Sequence, residues 1–149
     1  MAAEGTKHEP PRPGQGMVVP VFDESDIYAA TQRARDLARG LRMGEADQVR
    51  VETVILELGR NILLYAGQGE IVVQVVGHQG RVGLQVQSVD RGPGIPNVEL
   101  ALKDGYSTSG GLGTGLGAVR RLMDEFNIES TVGRGTRVTA IKWAPEPRP

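Results

Sequence analysis

Four short runs hold the residues whose types and spacing could do chemistry. The first is Glu57-x-x-x-Asn61. Positions four apart on a helix stand one above the other, so the carboxylate and the amide would share a face. The pair suits phosphoryl transfer: Glu57 as base on an incoming hydroxyl or water, Asn61 as an oxygen ligand to Mg2+, which takes few protein ligands when phosphates supply the rest. In isolation an E-x-x-x-N pair is far more often a solvated polar face. The second run is Asp90-x-Gly92-x-Gly94. A carboxylate at a strand end can accept a hydrogen bond from an exocyclic amine, while glycines let the backbone approach a flat ring; alone, the run reads as an ordinary turn. The third is Gly111-Leu112-Gly113-Thr114-Gly115-Leu116-Gly117, where six glycines fall between Gly105 and Gly117. Bare backbone N–H groups that lead into a helix N-terminus make an anion cradle. The fourth, Gly133-Arg134-Gly135-Thr136, is by itself a hairpin turn. Each run is weak alone; their order and spacing in one chain are far more specific.

The elements that must position these runs follow from the hydrophobic pattern. Residues 17–22 form a short apolar strand, and Pro20, which cannot donate to a ladder, puts it at a sheet edge. Ser25 or Asp26 caps a helix that runs to about residue 42, with Ile27, Ala30, Ala34, Leu37, Ala38 and Leu41 as its stripe. A second helix, residues 45–65, carries Glu57 and Asn61. Val51, Val54, Ile55, Leu58 and Ile62 share one of its faces; Val49, Leu56 and Leu63 share the opposite one. A helix apolar on two sides is expected between layers, a sheet on one side and a helix or partner on the other. Residues 71–77 and 81–89 read as a hairpin of strands across His78-Gln79-Gly80, which leads into the Asp90 loop. Asn97 caps a short helix to residue 103, and residues 116–126 form the helix after the glycines. Strands 128–132 and 136–143 close the chain across the Gly133-Arg134-Gly135 turn. Residues 1–15 and 144–149 are expected as disordered tails around one domain, 16–143. This order gives an α+β fold, a two-layer sandwich of a mixed, mostly antiparallel sheet with helices on one face. It lacks the alternating β and α units of a doubly wound fold, and no G-x-x-x-x-G-K-[ST] occurs.

Composition narrows the function classes. A chain of 149 residues is about one domain. Its net charge of −1 leaves no electrostatic footprint for nucleic acid or a membrane surface. With no cysteine, disulfides, thiolate catalysis and cysteine metal sites are excluded. No run of about eighteen apolar residues and no signal-peptide pattern occurs, so a soluble cytoplasmic protein is expected.

Together, over residues 17–143, the four runs resemble the ATP-binding site of the gyrase, heat-shock chaperone, histidine kinase and MutL (GHKL) superfamily, the Bergerat fold. Within it, E-L-G-R-N-I-L-L-Y-A-G-Q-G, D-R-G-P-G-I-P, D-G-Y-S-T-S-G-G-L-G-T-G-L and V-R-R-L-M-D-E-F resemble the switch serine/threonine kinases of the bacterial stressosome. The resemblance implies that Glu57 is the catalytic base and Asn61 the Mg2+ ligand. It implies that Asp90 binds the adenine amine, with Gly92 and Gly94 along the ring and Thr136 assisting. Gly111, Gly113, Thr114, Gly115, Leu116 and Gly117 would wrap the phosphates, under a very short lid at residues 106–110. Arg60 would touch phosphate or partner. The resemblance further implies ATP and Mg2+ as cofactors, STAS-domain proteins as substrates, and a PPM-type phosphatase that the kinase activates, leading to an alternative sigma factor. Two alternatives share the fold: an anti-sigma-factor kinase and an ATP-controlled binding switch with little catalysis. A histidine kinase is disfavoured, because no helix pair with a phosphoacceptor histidine is present and Glu57 stands where those enzymes typically carry Asn. A gyrase- or MutL-type clamp would need a following transducer domain.

Overall fold

The computed structural model describes residues 9–103 and 115–146. Its elements run β1 (Gly16–Val21), α1 (Glu24–Gly40), α2 (Glu45–Asn61), a π-helical turn (Ile62–Ala66), β2 (Gly69–His78), β3 (Arg81–Asp90), α3 (Val98–Ala101), α4 (Gly115–Leu122), β4 (Glu125–Thr131) and β5 (Gly135–Trp143). The strands form one sheet in the order β1-β2-β3-β5-β4, antiparallel at every pairing. The expected α+β sandwich is therefore what forms.

Strand alternation explains why the helices cover one face only. Ile71, Val73, Val75, Leu84, Val86, Val138 and Ala140 are buried, while Gln74 faces Gln85 across the register and Gln87 donates to Thr139 Oγ1 at 3.0 Å on the other side of the sheet. The β2–β3 turn places Gln79 (φ 50°) and Gly80 (φ 79°) in left-handed conformations, the two-residue hairpin loop whose twist matches the strands.

Helix α1 starts earlier than the sequence suggests. Asp23, not Ser25 or Asp26, is the cap: it accepts from the Asp26 N–H at 3.2 Å, and the Asp26 carboxylate reaches back to the N–H groups of Asp23 and Phe22. Two reciprocal bonds satisfy more orphan donors than one serine could. The helix ends at Gly40 because Arg42 turns left-handed (φ 65°), letting the Met43 N–H bond the Ala38 carbonyl at 3.0 Å.

Helix α2 lies on the sheet through Val51, Val54, Ile55, Leu58 and Ile62, all essentially buried. Its other side is only partly covered: Leu56 and Leu63 pack against the core, but Val49 is exposed. Helix α1 covers it with small residues, Ala30, Ala34 and Ala38. At Gly59 the approach is so close that a Cβ would stand 2.7 Å from Ile27 Cγ1. The helix expected to reach Tyr65 changes at Asn61 into the π-turn, closed by the Gly67 N–H on the Ile62 carbonyl at 2.9 Å.

Helix α4 is shorter than expected, ending at Leu122, and Phe126 is a strand residue paired with Ala140. The sheet captures the chain at Asp124. Its N–H donates to the Ile141 carbonyl at 2.9 Å, and its carboxylate accepts from the Trp143 N–H at 2.8 Å.

Residues 9–15, expected as tail, lie against the fold. The Gly14 N–H donates to the Val75 carbonyl and the Val75 N–H to the Gln15 carbonyl, both at 2.8 Å. Continued along β1, this pairing points the missing N–H of Pro20 away from β2, as an edge position allows.

Candidate nucleotide site

At one end of the sheet, beneath α2 and α3, a cavity of about 380 Å³ opens between the helical layer and strands β3 and β5. Its size is that of a small-molecule site. Most of its walls are apolar: Leu58 and Ile62 from above, Val138 below, Ile95, Leu100 and Leu116 around the mouth. The polar groups are few and separated. Asp90 and Thr136 stand at the sheet end and Asn61 on α2. A largely apolar cavity with a carboxylate at its end suits a planar heteroaromatic base that carries an amine.

The Asp90 backbone is fixed in the sheet and its carboxylate by the loop that follows. Thr136 is the direct partner of Asp90 across β3 and β5, and the Gly92 N–H donates to Asp90 Oδ1 at 2.8 Å. The other carboxylate oxygen takes no hydrogen bond from the described residues. Gly92 thus orients the carboxylate rather than lining the cavity, and its closeness to the π-turn explains the glycine: a Cβ would stand 2.7 Å from Ala66 Cβ.

Gly94 lines the cavity at φ 79°, and a Cβ there would run into the Thr131 carbonyl. The loop is pinned beside it. The Gly133 N–H donates to the Pro93 carbonyl at 2.8 Å and the Ile95 N–H to Ser130 Oγ at 2.7 Å; Ser130 Oγ in turn meets Thr136 Oγ1 at 2.9 Å. The Gly133-Arg134-Gly135-Thr136 turn therefore holds the Asp90 loop in place, and the Thr136 hydroxyl is engaged with Ser130.

Asn61 lines the cavity, whereas Glu57, one turn earlier, is 8% exposed and is not a lining residue. Gly115 and Leu116 line it from the start of α4. Gly117 does not; its lack of a side chain admits the Leu102 carbonyl, 2.5 Å from where a Cβ would be. Gly111, Gly113 and Thr114, with the expected lid at residues 106–110, lie outside the described residues. The motifs did not point to Tyr65, Leu100 or Ala101, which also line the cavity. Tyr65 carried one usable signal, standing four residues after Asn61 on the same helical face. Arg60 sits away from the cavity, beside Glu24, Ile27, Tyr28 and Leu56 on the α1 side.

Among the described residues, no cluster of three or more His, Asp or Glu could hold a metal by itself. The Asn61 amide oxygen, beside the buried Glu57, fits an ion such as Mg2+ whose remaining ligands are phosphate and water oxygens. None of the described helices is long and apolar enough to cross a membrane.

Comparison with known proteins agrees with this geometry. Residues 46–147 match the family described as histidine kinase-, DNA gyrase B-, and HSP90-like ATPase. The serine/threonine-protein kinase RsbT of Bacillus subtilis (strain 168) is 50% identical to this chain over 84% of its length and 94% of that kinase. An anti-sigma F factor of Caldanaerobacter subterraneus subsp. tengcongensis is 28% identical over 62% of this chain and 68% of that factor. Among solved structures, the RsbU and RsbW domains of Rv1364c from Mycobacterium tuberculosis share the fold at a TM-score of 0.59 and 17% identity. That match covers 91% of this chain and 34% of the mycobacterial one.

Proposed function

Because the chain belongs to the histidine kinase-, DNA gyrase B- and HSP90-like ATPase family, and within it is a serine/threonine-protein kinase of the RsbT kind, we propose that it transfers the γ-phosphate of ATP to a Ser or Thr hydroxyl of STAS-domain stressosome proteins. In the same reading, once released from them it binds and activates a PPM-type phosphatase that leads to an alternative sigma factor. A cytoplasmic setting goes with this role. The observation that carries the site assignment is the Asp90 carboxylate, with one oxygen fixed by Gly92 and the other open at the end of an apolar slot. An adenine amine is the natural donor to it.

The division of labour follows from position. Asp90 and the Gly94 backbone hold the base. Asn61 would hold Mg2+, which when bound neutralises phosphate charge. Gly111, Gly113, Thr114, Gly115, Leu116 and Gly117 would close on the phosphates. Glu57 accepts the proton of the protein hydroxyl as its oxygen attacks the γ-phosphorus; the bond to the bridging oxygen breaks and ADP leaves. A base on the helix that also carries Asn61 keeps proton acceptor and phosphate end in register.

The experiment is phosphotransfer from labelled ATP with Mg2+ to STAS-domain proteins of the same genome, with Glu57→Ala beside the wild type. Transfer that requires Glu57 supports the reading. ATP binding without transfer to any STAS protein overturns it in favour of sigma-factor binding or an ATP-controlled switch.

A further inference from the structure

The floor of the cavity contains one group that none of the motifs includes. Ser88 lies two residues before Asp90 on the same face of β3, 5% exposed, and lines the cavity. Its cross-strand neighbours are Ile71 and Val138, both buried, and the cavity wall above is Leu58 and Ile62. No described residue makes a hydrogen bond to its hydroxyl. Its oxygen is open to the cavity rather than sealed in the packed wall, so a bound molecule can reach it. The other hydroxyl at this end of the sheet, that of Thr136, is engaged with Ser130. Its neighbours Ile71, Val138, Leu58 and Ile62 are all apolar, so packing alone does not call for a hydroxyl at Ser88.

We propose that Ser88 is a specificity-determining residue of the nucleotide site: its hydroxyl donates, directly or across one water, to the purine ring nitrogen adjacent to the amine held by Asp90. Side chains two apart on a strand face stand roughly 7 Å apart, a gap that a ring edge with one water spans. Adenine offers acceptors on either side of its amine, at N1 and N7. Guanine presents a carbonyl where adenine has the amine and a protonated N1, so the Asp90 and Ser88 pair reads donor and acceptor together. The proposal rests on the base lying at Asp90.

The test measures binding of ATP, 1-deaza-ATP and 7-deaza-ATP to the full chain by calorimetry, for the wild type, Ser88→Ala and Asp90→Asn. The expected result is that the wild type binds one of the two analogues roughly tenfold more weakly than ATP. Ser88→Ala then binds ATP as weakly as the wild type binds that analogue, and no longer distinguishes the two. Without nucleotide, Ser88→Ala melts no lower than the wild type, since it loses a hydroxyl that has no partner among the described residues. An equal loss for all three nucleotides, or no loss, overturns the role of Ser88. Asp90→Asn that binds ATP as tightly as the wild type overturns the placement of the base instead. The two failures are separate readings of one data set.

Discussion

At the residue scale, the proposed function assigns chemistry to Glu57 and binding to Asp90, and that division can be measured. Asp90 stands in the cavity with one oxygen that no described residue pairs; Glu57 is buried one turn before Asn61 and outside the lining. Asp90→Asn keeps the shape but turns the open acceptor into an amide, so ATP affinity should fall about tenfold to a hundredfold. Unchanged affinity by calorimetry would rule out the contact with the amine. If Glu57 is the base, Glu57→Gln, which keeps the shape of the side chain, should lower transfer by roughly 10² to 10⁴ while the dissociation constant for ATP changes little. If both quantities fell together, Glu57 would be acting on the fold or on nucleotide binding. Several glycines of the motifs stand where a neighbouring group occupies the space a side chain would take. Gly92 faces Ala66, Gly117 faces the Leu102 carbonyl, and Gly135 (φ 124°) leaves room for the Asp90 carbonyl. A sequence shows that glycine is needed at such places but not whether ligand or backbone occupies the missing side chain's space.

At the element scale, the start of α1 is an exposed electrostatic device with a defined pH window. The hydroxyl of Ser25 donates to Asp23 Oδ1 at 2.5 Å, and the Asp26 N–H also donates to that carboxylate; the two bonds hold the Asp23 carboxyl below its ordinary range. Because the folded state prefers the charged form, this stabilisation is present above the unfolded pKa of an aspartate, about 4, and is lost as pH falls through the lower folded value. Asp23→Ala should therefore melt below the wild type at pH 7, with the difference shrinking as the solution is acidified past pH 4. A difference that held constant with pH would mean the carboxylate is not the stabilising group. A different arrangement sets the start of β4. Lys142, a strand residue, reaches Asp47 at 3.6 Å and Asp124 at 3.3 Å. It joins the first turn of α2 to the turn that ends α4, a contact between residues far apart in sequence.

At the scale of the whole molecule, legibility tracked the range of the interactions. Strand alternation, the Gln79-Gly80 turn and the stripe of α2 are local patterns, and each appears where the residues suggest. The caps and ends did not: the reciprocal Asp23–Asp26 bonds, the left-handed Arg42 and the capture of Asp124 by β5 depend on partners that no short window contains. The cavity was legible as Asn61, Asp90, Gly94 and Thr136, whereas Ser88, Tyr65 and Leu100 required the packing of three elements to be seen. The N-terminal stretch is the plainest case, since proline and glycine content suggested a tail. Pro11 nonetheless packs on Gly40 and Pro13 on Gly77, and residues 14 and 15 bond to both backbone groups of Val75. Beginning the chain at Gly16 would leave those two groups to water and uncover the end of β2. Two net hydrogen bonds are worth about 1–3 kcal/mol, a fall of several degrees or more in melting temperature for a domain of this size. Binding should be spared, because Asp90 pairs with Gly69 at the other end of β2, six residues and roughly 20 Å from Val75. Thermal melts with and without ATP separate the outcomes. A lower melting temperature with an unchanged ATP-induced shift is expected; a smaller shift would mean that the N-terminal stretch reaches the site through the sheet.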